Sequence, residues 1–179
     1  MKKIVNKSYN LIVRPFKIFD VHKSNYLKWL ADEEVTKYIL RNELGRNINK
    51  ELIITYLKKI LSSKQDIFFS VFVKKKMIGT LKISKINKRN KSAEIGIMIG
   101  EKKYWNRGFG KILIKYLIVY CFEKMSLKKI YCGTLKKNIG MKKVFLNLGF
   151  QIIDNFNIKF ENRTYASYKF ELKKVNFLL

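Results

Sequence analysis

Proline and histidine each occur once in the 179 residues. With Pro15 alone, no Pro-rich linker divides the chain, and no low-complexity stretch or internal repeat marks a boundary. One domain over residues 1–179 is therefore expected. With His22 alone, a metal site would need a second histidine or a carboxylate at ligand spacing, and none is so placed. His22 is expected at the surface near the first helix. Cysteine is nearly as scarce. Cys121 and Cys132 lie in apolar runs, show no metal-ligand spacing and read as core thiols. Long apolar runs are also missing. The longest, Ile112 to Phe122, is interrupted by Lys115 and is too short to span a bilayer. The basic opening "MKKIVNKSYNLIV" has no apolar region of signal-peptide length, so a cytoplasmic location is expected.

Negative charge is the other shortage. Asp plus Glu number 13 against 39 Lys plus Arg, a formal charge of +26. A surface of that sign attracts nucleic acid, anionic membranes and phosphorylated ligands. But the excess is lysine, 33 Lys against 6 Arg, and arginine does most bidentate phosphate and base recognition. The charge runs are scattered ("VKKKM", "INKRNKS", "TLKKN", "GMKKV") rather than gathered in one tail, which weakens a nucleic-acid reading. A codon bias toward A and T and a basic functional surface both remain open as its origin.

What is present is an apolar share of 47%, enough for a sizeable core. "YNLIVRPF" alternates as a first strand, and "DVHKSNYLKWLADEEVTKYIL" follows as a helix that Asp20 caps. "NINKELIITYLKKILSS" is a second helix, capped by Asn47 or Asn49, with Leu52, Ile53, Tyr56, Leu57, Ile60 and Leu61 on one face. "DIFFSVFVKKKMIGTLKISKI" reads as two strands about a Lys-rich turn, and "SAEIGIMIG" as another strand. A helix from about Gly110 to Met125, the strand "KKIYCGTL", a short helix ending at Gly149 and a final hairpin complete the order. The pattern is α/β (α+β) with one mixed, mostly antiparallel sheet of six to seven strands and about four helices.

Between the "SAEIGIMIG" strand and the next helix lies "WNRGFGKIL". The first turn of a helix has N–H groups without intrahelical partners, carrying partial positive charge. Glycines ahead of it let an anion approach the backbone. Arg107 and Lys111 add full charges, so the loop reads either as a pyrophosphate cradle or as a connecting turn. It is neither a P-loop nor a dinucleotide fingerprint, since it lacks G-x-x-x-x-G-K-[ST] and a third spaced glycine.

Trp105-Asn106-Arg107-Gly108-Phe109-Gly110 resembles the signature loop of the GNAT acyl-CoA N-acyltransferases, Arg/Gln-x-x-Gly-x-Gly/Ala, with Trp105 in the first place. "AEIGIMIG" before it, "NIGMKKVFLNLGF" after it and the early "YLKWLADEEVTKYI" resemble the branch containing ribosomal-protein N-terminal, spermidine and nucleotide-sugar acetyltransferases. The resemblance implies acetyl-CoA as co-substrate, lying in a split between the fourth and fifth strands. It implies pantetheine against the backbone of Ile97, Met98 and Ile99, and pyrophosphate on the amides of Arg107, Gly108, Phe109, Gly110 and Lys111. It also implies an Asn138 side chain bonded to the pantetheine, although an Asn there also serves as a helix cap. Lys143 would touch the cofactor phosphates or remain solvated.

Acetyl transfer needs a neutral amine, hence a group that takes its proton. Glu94, alone in an apolar strand, is the candidate base: burial would raise its pKa, whereas strand alternation would turn it to solvent. The N–H near Met98 is a candidate for polarising the thioester carbonyl. Three departures stand out. Phe145 occupies the place where many members carry a proton-donating Tyr, and Met141 stands where Ser is common. Ala166 and Ser167 stand where the branch often has an Asp. Tyr165 and Tyr168 are candidate pocket donors or packing residues.

The resemblance places the acceptor between the first two helices and the final hairpin, near Tyr26, Trp29, Asp32, Glu33, Tyr38 and Asn42. The positive charge favours an anionic amine, a nucleotide-linked amino sugar of surface-polysaccharide synthesis. A protein N-terminal amine comes second. A basic nucleic-acid-binding protein and a non-catalytic CoA-binding protein are the readings from other classes. No membrane partner is expected, and a homodimer is compatible with the apolar "VNFLL" tail.

Overall fold

"IFFSVFV" is apolar at almost every position, the mark of a strand covered on both faces. In the computed structural model, which describes residues 3–6, 8–39, 49–160 and 162–177, this segment is such a strand. The strands are β1 (Lys3–Asn6), β2 (Leu11–Pro15), β3 (Ile67–Val73), β4 (Lys76–Asn87), β5 (Ser92–Ile99), β6 (Lys129–Leu135), β7 (Gln151–Phe160) and β8 (Arg163–Lys173). They form one sheet of eight strands in the order β1-β2-β3-β4-β5-β6-β8-β7. The sheet is thus larger than the six to seven strands expected, because Lys3–Asn6 pairs with β2. Four residues without clear alternation leave little periodicity to read.

Two cores lie on its two sides. Phe69, Val71, Ile95 and Ile130 pack with the helices α5 (Phe109–Val119) and α6 (Ile139–Asn147). Phe68, Met77 and Met98 pack with α1 (Phe19–Lys23), α2 (Tyr26–Ala31), α3 (Glu33–Thr36) and α4 (Lys50–Ser62). Neighbours such as Phe68 and Phe69 therefore serve opposite layers, as the two-residue period of a strand requires.

The long first helix expected from "DVHKSNYLKWLADEEVTKYIL" is three short ones. Ser24 is extended and its Oγ accepts the Tyr26 N–H, while the Asp32 side chain accepts the N–H groups of Glu34 and Val35. These side chains compete with the helical ladder and restart it. Asp20 lies inside the first of these helices instead of capping it, held by Arg14 and Ser70. Asn49 caps α4, accepting the Leu52 N–H at 2.8 Å. The face of α4 is narrower than its spacing suggested: Ile53, Leu57 and Ile60 are buried, while Leu52 and Leu61 are exposed. The helix after the glycines starts at Phe109 and ends as a wider turn over Tyr120–Lys124, closed by the Met125 N–H on the Tyr120 carbonyl.

Every pair of neighbouring strands is antiparallel except β5 and β6, which α5 joins as a crossover. Their parallel pairing covers only Ser92, Ala93 and Glu94 against Lys129, Ile130 and Tyr131, and then the strands part. This is the split expected between the fourth and fifth strands, displaced by one in number because of β1.

Candidate active site

The parting of β5 and β6 opens a cleft of about 1140 Å³. One wall is the edge of β5 from Glu94 to Ile99; the other is β6 from Tyr131 to Leu135. Along β5 the backbone groups alternate in direction. The Gly100 N–H donates to the Ile78 carbonyl, so Gly100, Met98 and Gly96 turn their backbone groups toward β4. Ile97 and Ile99 turn theirs into the cleft. Met98 thus differs from its expected role: its side chain belongs to the core beneath α2, and its N–H faces β4. The Ile99 carbonyl accepts the Trp105 indole N–H at 2.7 Å, which ties the loop to the end of the strand.

The glycine loop forms the far end. Asn106 and Gly108 are left-handed, with φ of 56° and 78°, and Gly108 precedes the first helical residue, Phe109. The Ile112 N–H is bonded to the Gly108 carbonyl. The N–H groups of Phe109, Gly110 and Lys111 thus lack intrahelical partners. A Cβ on Gly108 would meet nothing within 4 Å, and one on Gly110 only Met141 Sδ at 3.9 Å, so open space lies over these amides. Phe109 anchors the turn, its ring 5.3 Å from that of Tyr104 and 5.1 Å from that of Tyr9. Free amides at a helix N-terminus favour an anion such as phosphate. Arg107 and Lys143 are exposed and lie outside the cleft lining. Asn138 lines it, and its Oδ1 caps α6 by accepting the Met141 N–H at 3.2 Å.

At the opposite end stands Glu94. It is not buried, as an apolar strand had suggested; its side chain is 35% exposed and its Oε1 lies 2.9 Å from Lys85 Nζ. The residues of this strand that face the α5 layer are apolar, while Glu94 shares the other face with Gly96 and Met98. Phe145 is buried against the rings of Phe150 and Phe170, at 5.4 and 5.1 Å, and carries no proton to donate. Met141 is half-buried in the cleft wall. Tyr168 is occupied by Lys142, whose Nζ lies 3.3 Å from its hydroxyl. Tyr165 and Ala166 are outside the lining, and Ser167 is in it.

Of the residues expected near the acceptor, Tyr38 lines the cleft, beside Glu34, Val35 and Ile39. Tyr26 and Trp29 are core residues; burial pushes the Tyr26 hydroxyl pKa far up. Asp32 caps α3 and pairs with Lys102, Glu33 is exposed away from the cleft, and Asn42 lies outside the described residues. Asp154, Phe156 and Ile158 of β7 complete this end. Sequence reasoning missed them because their strand is exposed along most of its length and shows no burial period. Among the described residues no group of three His, Cys, Asp or Glu could hold a metal ion, and no helix is long and apolar enough to cross a membrane.

A strand pair opened beside a helix N-terminus, with an amide cradle at one end and a carboxylate at the other, suits acyl transfer from a phosphorylated thioester. Comparison with known proteins agrees. The family model described as "Acetyltransferase (GNAT) domain" matches residues 10–151, and the chain belongs to that family. It is an N-acetyltransferase. A protein called "Uncharacterized N-acetyltransferase p20", from Bacillus licheniformis, is 29% identical over 126 residues, which are 69% of this chain and 70% of that one. "Uncharacterized N-acetyltransferase YoaA" of Bacillus subtilis is 24% identical over 68% of this chain and 69% of its own length. In fold, the chain is similar to a spermidine N-acetyltransferase from Vibrio cholerae solved with CoA and spermine. The TM-score is 0.84 at 19% identity, covering 97% of this chain and all of that one.

Proposed function

We propose that this chain moves the acetyl group of acetyl-CoA onto a primary amine, and that the amine belongs to a nucleotide-linked sugar. One observation carries the reading: the β5 edge connects an open amide cradle at Gly108–Lys111 to a carboxylate at Glu94. The pyrophosphate takes the cradle, the pantetheine runs along Ile97 and Ile99, and the Asn138 amide bonds it from α6. Glu94 takes the ammonium proton, directly or through a water, and the neutral nitrogen then attacks the thioester carbon. A C–N bond forms, the C–S bond breaks and the nitrogen's second proton passes to water. The CoA thiolate leaves without a proton from Phe145.

The acceptor class rests on charge. An amine arrives as an ammonium ion, and Glu34, Glu94 and Asp154 give it an acidic approach inside a strongly basic chain. The basic remainder of the surface favours an anionic body attached to that amine. A nucleotide-linked amino sugar has both. Calorimetric titration with acetyl-CoA, beside a short DNA duplex as anion control, tests the cofactor half. One-to-one binding that survives added salt, against weak and salt-sensitive DNA binding, is expected. No specific acetyl-CoA binding would overturn the reading. A screen of amines then tests the acceptor, with nucleotide-linked amino sugars expected to give the highest kcat/KM and polyamines and peptide N-termini lower values.

A further inference from the structure

A second pocket, of about 470 Å³, opens on the other side of Glu94. It shares Lys85, Glu94, Tyr131 and Lys169 with the cleft, so the two are continuous around the carboxylate. We propose that this pocket is an anion subsite that holds a phosphate-bearing part of the acceptor while the amine lies at Glu94. The proposal rests on the reading of the cleft as the acetyl-transfer site.

Its charge is the first argument. Lys85, Lys129 and Lys169 line it against one carboxylate, and that carboxylate is already paired with Lys85. Lysines are compact point charges well suited to phosphate. Its hydrogen-bonding groups are the second. Asn87, Asn90 and Ser92 add neutral polar groups. The Asn87 Oδ1 accepts the Asn90 N–H at 2.8 Å, which leaves the Asn87 amide N–H groups as donors for an oxyanion or a sugar hydroxyl. Tyr131 supplies a flat wall, with Lys169 Nζ 5.3 Å from its ring centre.

The backbone is built to make this arrangement. The β4–β5 register shifts between Ser84 and Asn87, and within that bulge Lys85 has a φ of 50°. Bulges re-aim side chains. Here the bulged residue is the lysine that meets Glu94.

Distance separates this pocket from the cofactor's own anion site. Glu94 and Ile99 are five residues apart on β5, roughly 16 Å, and the glycine loop lies beyond Ile99. The cofactor pyrophosphate at the loop therefore leaves the lysines near Glu94 free for another anion. The volume lies within the range of about 300–1,000 Å³ usual for small-molecule sites.

The test is a titration of the CoA-saturated full chain with UDP and, separately, with glucosamine 6-phosphate. Saturation with CoA blocks the cradle. At least one probe is expected to bind, with Kd weakened tenfold or more by Lys129→Met and also raised by Asn90→Ala. Both substituted residues are exposed and line only the second pocket, so acetyl-CoA affinity should be unchanged in the two variants. UDP binding would point to a nucleotide-linked acceptor, and binding of the sugar phosphate alone to a simpler phosphorylated amine. Binding of neither probe, or binding indifferent to both substitutions, would overturn the subsite. If the wild type fails to bind acetyl-CoA, the acetyl-transfer reading falls, and the same titration without CoA still judges the pocket.

Discussion

Lys85 meets Glu94 from a left-handed backbone: its φ is 50° and its Nζ lies 2.9 Å from the carboxylate. A lysine in that conformation costs about 1 kcal/mol or more, and the contact it makes is with the candidate base. Glu94→Gln is expected to lower kcat by about 10²–10⁴-fold, the usual weight of a general base. Acetyl-CoA affinity should hold, because the cofactor contacts proposed above lie on β5 beyond this residue. Steady-state kinetics beside calorimetry reads both quantities, and equal turnover in the variant would remove Glu94 from the mechanism.

Gly108 precedes the first turn of α5 at a φ of 78°. Gly108→Ala forces a side chain into the left-handed region at a cost of about 1–2 kcal/mol. The new methyl also stands in the open space over the amides. Urea denaturation should register the first effect and weakened acetyl-CoA binding the second. Unchanged affinity would show that no ligand phosphate approaches this turn.

Gly100 is needed for packing. A Cβ there would lie 2.0 Å from Trp29 Cδ2, inside a core that joins α2 to the end of β5. Gly100→Ala should cost about 3 kcal/mol or more, since a large ring buried at this contact cannot shift cheaply. Thermal unfolding measures it, and a Tm within a degree or two of wild type would contradict the packing.

Asp20 is buried, which by itself raises its pKa; bonds from Arg14, Ser70 and the Lys17 N–H outweigh this and hold it below the ordinary carboxylate value. Because the folded-state pKa lies below the unfolded one, of about 3.9, the stabilisation is complete above that value. It is lost as pH falls through the folded-state pKa. Asp20→Asn should destabilise the protein by about 3 kcal/mol at pH 7, leaving Arg14 without its counter-charge. Below pH 4 the gap between variant and wild type should close. A gap that is constant from pH 7 to pH 3 would contradict this account.

Burial pushes the Cys121 thiol up to about 12, and burial with the nearby Glu94 charge raises Cys132 well above its ordinary value. Neither is a thiolate at pH 8, and the reactive species is the thiolate. A chromogenic disulfide reagent should therefore react with neither thiol until denaturant is added. Prompt reaction of one equivalent would show that a core thiol is accessible.

The site was legible where chemistry and local backbone coincide. "WNRGFGKIL" announces a left-handed glycine before a helix, Asn138 announces a cap, and Gly149, at a φ of 86°, ends the α6 segment as read. What escaped depends on the third dimension. The bulge that turns Lys85 onto Glu94 leaves no mark in the sequence. Glu34 and Asp154, from segments 120 residues apart, reach one cleft only because β7 and α3 frame the same opening. The split itself was legible only through the family resemblance, since apolar alternation does not say where two strands part.

The β5–β6 seam has a further consequence. Three residue pairs join a leaf of five strands to a leaf of three. A ligand lying along the opened edge supplies rungs that the polypeptide omits, so its occupancy is written into the folding equilibrium. At a concentration a hundred times Kd, such a ligand adds about 2.7 kcal/mol, a sizeable fraction of what holds a domain of this size together. The resistance of the fold to denaturant would then depend on how much of that ligand is present.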